Sequence, residues 1–169
     1  MKLVRSVALA AMLGSLPIAA ATAAEVQQLS WQVVDQWLSG SASTIAGRFA
    51  NKAVQINVTS RSLGKLKGGP SKGPLIVYLG KGGAMLTWTS NARTVGTGRW
   101  EIKSMGLGVE IPCFYFDGPK GRSECFFGGT ANYVQAATGN VFGLEAGAAV
   151  PAKLSGKASI ASLSAKLGL

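Results

Sequence analysis

Beyond Gly40 the chain consists of short runs in which apolar residues return at every second position, and glycine-rich turns separate the runs. Val54, Ile56 and Val58 alternate with Gln55 and Asn57. Leu86 and Trp88 alternate with Met85, Thr87 and Thr89, and Val95, Thr97 and Arg99 alternate with Gly96, Gly98, Trp100 and Ile102. Pro74 to Leu79 is a compact apolar run, and Tyr133 to Gln135 and Val141 to Leu144 complete the series. Period two marks half-buried strand, because successive side chains point to opposite faces of a sheet. Gly80-Lys81-Gly82-Gly83, Ser90-Asn91, Gly106-Leu107-Gly108, Gly128-Gly129 and Gly139-Asn140 supply the turns. The pattern predicts a mainly β fold, a small antiparallel meander of about seven to nine strands, closed or nearly closed. Gly96 and Gly98 suit the bends of such a small barrel.

Three segments stand outside the meander. Residues 26–38 read as one short N-terminal helix, with Val26, Leu29, Val33, Val34, Trp37 and Leu38 near helical spacing and Gly40 to end it; Ser30 is an alternative N-cap for a shorter helix. Trp31 and Trp37 share no face of it, so one of them is expected to cap a barrel end or stay partly exposed. Residues 60–74 read as a flexible basic loop, with Arg61, Lys65, Lys67 and Lys72 among glycines and Pro70. Residues 151–169 form a low-complexity tail rich in Ala, Ser, Lys, Leu and Gly. Its Ile160, Leu163 and Leu167 have helical spacing, and the residues leave open a weak amphipathic helix, a final strand or disorder.

The first 24 residues have the order of a secretory signal peptide. Lys2 and Arg5 form the positive region, Val7 to Leu16 the apolar region, and Ala21-Thr22-Ala23-Ala24 the small residues before cleavage. The apolar run is shorter than the roughly 20 residues that cross a bilayer. Cleavage after Ala23 or Ala24 is expected, with residues 25–150 forming the β domain and 151–169 its tail. Loss of Lys2 and Arg5 leaves 15 Lys+Arg against 7 Asp+Glu, a net +8. No second run is long and apolar enough for a transmembrane segment, so a periplasmic or secreted location is expected.

Export decides how Cys113 and Cys125 are read, because an even cysteine count in an oxidising compartment points to a bridge. Residues 109–116 and 123–128 read as two strands around the turn cluster Asp117-Gly118-Pro119-Lys120-Gly121. Setting Cys113 opposite Cys125 places Phe116 opposite Arg122 and Ile111 opposite Phe127. The bridge is expected as a structural staple, since the Cys-x-x-Cys of redox pairs is absent.

Among 169 residues there is no His, which removes Ser-His-Asp and Cys-His catalytic devices and His-containing metal sites. The glycines of residues 64–73 do not form a phosphate loop, because Pro70 follows Gly69. Ser62-Leu63-Gly64-Lys65 matches the Ser-x-x-Lys of penicillin-interactive enzymes without their other motifs. Glu110 and Glu124 fall on the hairpin face opposite the disulfide, where Lys103, Lys120 and Arg122 make a solvated ionic face the better reading than an acid–base pair. No motif implies a cofactor or metal, and the chain reads as a non-enzyme.

Leu38-Ser39-Gly40 at a helix end, Gly98-Arg99-Trp100 in a strand, Pro112-Cys113-Phe114 and Cys125-Phe126 form an ordered set. The set, over about residues 26–128, resembles small secreted proteins of alphaproteobacteria catalogued as domains of unknown function. The resemblance implies a lipocalin-like barrel and assigns no catalytic residues. The basic loop and the Ala/Ser/Lys tail depart from that plan.

The function expected is a non-catalytic cell-envelope module that binds polyanions, such as anionic envelope polymers or lipid head groups, through Arg61, Lys65, Lys67 and Lys72. The second expectation is a carrier that holds a small apolar ligand inside the barrel. Aromatic residues do not interleave with the basic ones in this loop, which argues against specific nucleic-acid binding.

Overall fold

The computed structural model describes residues 25–58, 73–117, 122–125 and 132–169. The expected leader of residues 1–24, the four loop cations Arg61, Lys65, Lys67 and Lys72, and Phe127 lie outside these residues. In chain order the elements are β1 (Val26–Gln28), α1 (Trp31–Trp37), α2 (Ala42–Phe49), β2 (Lys52–Val58), β3 (Gly73–Leu79), β4 (Ala84–Thr89), β5 (Gly96–Ser104), β6 (Glu110–Phe116), β7 (Arg122–Cys125), β8 (Asn132–Thr138) and α3 (Ile160–Leu167).

The N-terminal helix is shorter than the one expected over 26–38. Val26–Gln28 are not its first turn: they pair with β8, Val26 opposite Ala137. The helix starts where Ser30 accepts a hydrogen bond from the Val33 amide, because a serine hydroxyl satisfies a donor that the first turn leaves unpaired. Trp37 is buried and Trp31 is 71% exposed. A second helix, α2, occupies a stretch that the period-two reading passed over. Ser41 caps it, and Ile45 and Phe49, four apart on one face, are wholly buried. The Arg48 guanidinium donates to the carbonyls of Gln36, Trp37 and Ser39. It thereby covers the C-terminal end of α1 and ties the two helices together.

The strands form one eight-stranded sheet in the order β1-β8-β2-β3-β4-β5-β6-β7, with every pair antiparallel. β2 to β7 are the expected meander, and β8 returns to lie between β1 and β2. Among the described residues no pairing joins β7 to β1, so the closed circuit expected for a barrel is not formed. The burial pattern gives the physical reason. Four consecutive residues are buried in each of β2 and β3, which requires cover on both faces, whereas a barrel wall buries one.

On one face α1 and α2 pack Trp37, Ile45 and Phe49 against Val54, Ile56, Leu75, Val77, Trp100 and Phe114, with Trp37 edge-on to Phe49 at 5.1 Å between ring centroids. On the other face α3 and the segment before it pack Phe142, Leu144, Leu154, Ile160 and Leu163 against Ile76, Trp88 and Ala137. Val141–Leu144 is therefore not the strand expected from its apolar run. Asn140 holds it as a turn, accepting from the Leu144 amide and donating to the Leu144 carbonyl.

A one-residue slip in the β2–β8 register serves both layers. Gln55 pairs with Gln135 and Ile56 with Tyr133, so Val134 is the extra residue of a bulge. Tyr133 and Gln135, two apart in the chain, thus point to opposite faces. Tyr133 joins the α1/α2 core, and Gln135 accepts from the Ala161 amide of α3 at 3.0 Å.

Candidate functional site

Cys113 and Cys125 are Cα partners and form a disulfide, with Phe116 opposite Arg122 as expected. β7 has four residues and ends the sheet, so the bond fastens a short edge strand to its neighbour. The disulfide is thus a structural fastening. It holds the sheet from which the polar and apolar surfaces below are built.

The first such surface is the β5–β6 face that carries Cys113. Arg99, Glu101 and Lys103 alternate along β5, and Tyr115 stands opposite Arg99. The Arg99 guanidinium lies 3.8 Å from the Tyr115 ring centroid and Lys103 Nζ lies 5.3 Å from it. Tyr115 donates its hydroxyl to Glu101 Oε1 at 2.6 Å, and both cations approach the Glu101 carboxylate to 3.6 Å. The Tyr115 hydrogen bond, with the Lys103 and Arg99 charges, holds the Glu101 carboxyl below the usual carboxylate range. The Tyr115 hydroxyl and Glu101 push the Lys103 ammonium up. This is an ionic network satisfied from within. Lys103, expected with Glu110 and Glu124 on the face opposite the disulfide, lies instead on the face of Cys113, because it pairs with Ile111, and its acid is Glu101. Glu124 is the Cα partner of Phe114.

The second surface is concave. Because β4 pairs with β5 only as far as Ala84 opposite Arg99, the following stretch of β5 extends past the β4 edge. α2 lies along this stretch with small residues outward. Ala42, Ala46, Gly47 and Ala50 form one wall of an open groove of about 540 Å3. Trp100 and Ile102 line the other side, and Lys81 stands on the β3–β4 turn at its rim. The turn is held against β5, since the Trp100 indole donates to the Gly80 carbonyl at 3.0 Å and the Trp100 amide to the Gly83 carbonyl at 2.7 Å. Gly83 has φ +89°, and a Cβ there would stand 2.9 Å from the Trp100 carbonyl, so glycine is needed for this approach.

The groove combines a mainly apolar lining with Ser43, the cation Lys81 and the acid Glu101. The Glu101 carboxylate is engaged by Tyr115, Arg99 and Lys103, which leaves Lys81 as the charge suited to a ligand with a chain and an anionic end. The period-two reading missed it, because one wall is α2. Ser41 followed by Ile45 and Phe49 was the available signal. Trp100 and Phe114 are buried in the core layer on one face of the sheet and Trp88 in the layer on the other. Among the described residues no three His, Cys, Asp or Glu side chains gather as a metal site would require. Among the same residues no helix is long and apolar enough to cross a membrane. No protein-family model, curated protein or solved structure matches the chain.

Proposed function

We propose that this chain is an exported, non-catalytic binding module of the cell envelope whose ligand is amphipathic and anionic. The groove between α2 and β5 carries the reading: its volume of about 540 Å3 lies within the range of roughly 300–1,000 Å3 typical of small-molecule sites. The apolar part of the ligand lies along Ala46, Gly47, Trp100 and Ile102, and its anionic group meets Lys81. The apolar carrier function thus moves from a barrel interior to a surface groove. Export rests on the leader pattern of residues 1–24 and on the disulfide, a bond that persists in oxidising compartments. Kinship with the small secreted alphaproteobacterial proteins belongs to the same proposal, as does a barrel-like curl of the open sheet.

Gly47 supports a direct test. It is helical, and a Cβ there meets nothing within 4 Å. Gly47→Leu therefore fills the groove without disturbing the fold, and it favours the helix. Calorimetric titration with a long-chain fatty acid should show binding to the parent chain, loss of it in Gly47→Leu and weakening of at most about fivefold in Lys81→Ala. Equal binding by the parent and Gly47→Leu removes the groove from the reading.

The net +8 left after loss of Lys2 and Arg5 supports a second reading, binding of polyanionic envelope polymers. Arg61, Lys65, Lys67 and Lys72 fall within twelve residues that contain no acid, and only a multivalent anion gains from all four across the screening length of about 8–10 Å. Replacing all four by Ser should lower retention on heparin and flatten its salt dependence. Unchanged retention removes the 60–74 loop from the reading.

A further inference from the structure

The β5–β6 hairpin ends in Met105-Gly106-Leu107-Gly108-Val109. Its turn is closed by the Met105 amide on the Val109 carbonyl at 2.8 Å and the Val109 amide on the Gly106 carbonyl at 3.0 Å. Met105, Leu107 and Val109 are 54%, 105% and 44% exposed, and the two core clusters include none of them. Leu107 has φ +52°, a left-handed conformation that glycine, asparagine or aspartate adopts at far lower cost. A leucine there buries nothing within the fold and strains its own backbone, so its apolar side chain serves contact with something outside the chain.

Lys103 stands on the same hairpin. Of the two acids nearby, Glu101 is engaged by Tyr115, Arg99 and Lys103, and Glu110 sits opposite Ser104 at the base of the tip. A convex turn of five residues is far too small for a stable protein pair, which buries about 1,200 Å2 or more. A fluid acyl layer requires no matching shape, and a basic chain complements an anionic surface.

We propose that Met105–Val109 is an insertion tip that enters the acyl region of an anionic phospholipid bilayer, while Lys103 meets the head groups. The tip acts independently of the groove and stands whether or not the groove holds a ligand. The experiment is flotation of the full mature chain with vesicles of phosphatidylethanolamine and phosphatidylglycerol in equal parts, with phosphatidylcholine vesicles alongside. The parent chain should float with the anionic vesicles, and more weakly with the neutral ones.

Leu107→Gly suits the backbone, so the fold is retained, and partitioning should fall about thirtyfold for the loss of one buried leucine. Lys103→Gln should cost about fivefold. Equal flotation by the parent and Leu107→Gly overturns the proposal and assigns membrane contact to other cations. Absence of flotation also overturns it, as does a concentration-dependent dimer without lipid that Leu107→Gly abolishes, which would make a second copy the occupant. Fatty-acid binding measured on Leu107→Gly tests the groove separately.

Discussion

Gln55 and Gln135 lie opposite each other on β2 and β8, and both side chains hold the first turn of α3. Gln55 Oε1 accepts from the Ile160 amide at 3.1 Å and its Nε2 donates to the Ala158 carbonyl at 2.8 Å, while Gln135 Oε1 accepts from the Ala161 amide at 3.0 Å. Ser159 takes the next amide, that of Ser162, at 3.1 Å. The donors that a helix leaves unpaired at its start are thus met by two side chains from the sheet and one from the cap.

Gln55 is 2% exposed, so its removal leaves the buried Ile160 amide and the partly buried Ala158 carbonyl without this partner. Gln55→Ala should destabilise the fold by about 3 kcal/mol, and urea unfolding measures it. Amide exchange should accelerate first in Ile160–Leu167. A double-mutant cycle with Gln135→Ala should show coupling, since both residues hold the same turn. Additive losses would mean that each glutamine acts alone.

The disulfide closes a loop with a sequence separation of 12. Constraint of the unfolded chain by a loop of this size contributes about 3 kcal/mol. Reduction, or replacement of both cysteines by Ser, should lower the urea midpoint accordingly and loosen β7 before the rest of the sheet. Fatty-acid binding to the folded protein should persist, because neither cysteine lines the groove.

Glu101 owes its lowered pKa first to the Tyr115 hydroxyl. Tyr115→Phe should move its midpoint up toward the ordinary glutamate value of about 4.3, measured by carbon-detected NMR titration of the side-chain carboxyl. The sign follows from linkage. A carboxyl depressed in the folded state contributes stability that is present above its unfolded pKa and is lost as pH falls through the lower folded value. An unchanged midpoint would assign the depression to Arg99 and Lys103 alone.

Tyr133 is buried in the α1/α2 core, and its hydroxyl has no hydrogen-bond partner among the described residues. Burial pushes its phenol far above the usual tyrosine range. Tyr133→Phe removes a polar atom that is buried at a cost and keeps the ring packed 6.0 Å from Phe49. The variant should be more stable by about 1 kcal/mol in urea unfolding. A loss of stability would show that the hydroxyl is satisfied from residues outside the described set.

The Cys hairpin was legible because two cysteines, two apolar runs and one turn cluster leave a single sensible register. Phe116 opposite Arg122 followed from it. Gln55 was not legible. Alternation identifies which residues share a face, but it assumes that the polar face meets water, and here α3 covers it. α2 escaped notice because its apolar content is two large residues, Ile45 and Phe49, among small ones that carry no periodic signal. The same small residues form the wall of the groove, so the feature that hid the helix is the one that opens the candidate site. The tip was visible only as a Gly-Leu-Gly turn, since exposure of Leu107 depends on how far β5 outruns β4.

The position of β8 also governs when the protein can fold. Between β2 and β7 each strand pairs with the one just made, but β1 and the free edge of β2 wait for Asn132–Thr138, which are synthesised after the whole meander. Such distant pairing slows folding. An emerging chain therefore cannot complete its sheet until nearly all of it has been made. Until then the edge of β2 that β8 will cover stays open, and the chain is exposed to pairing with a second copy of itself.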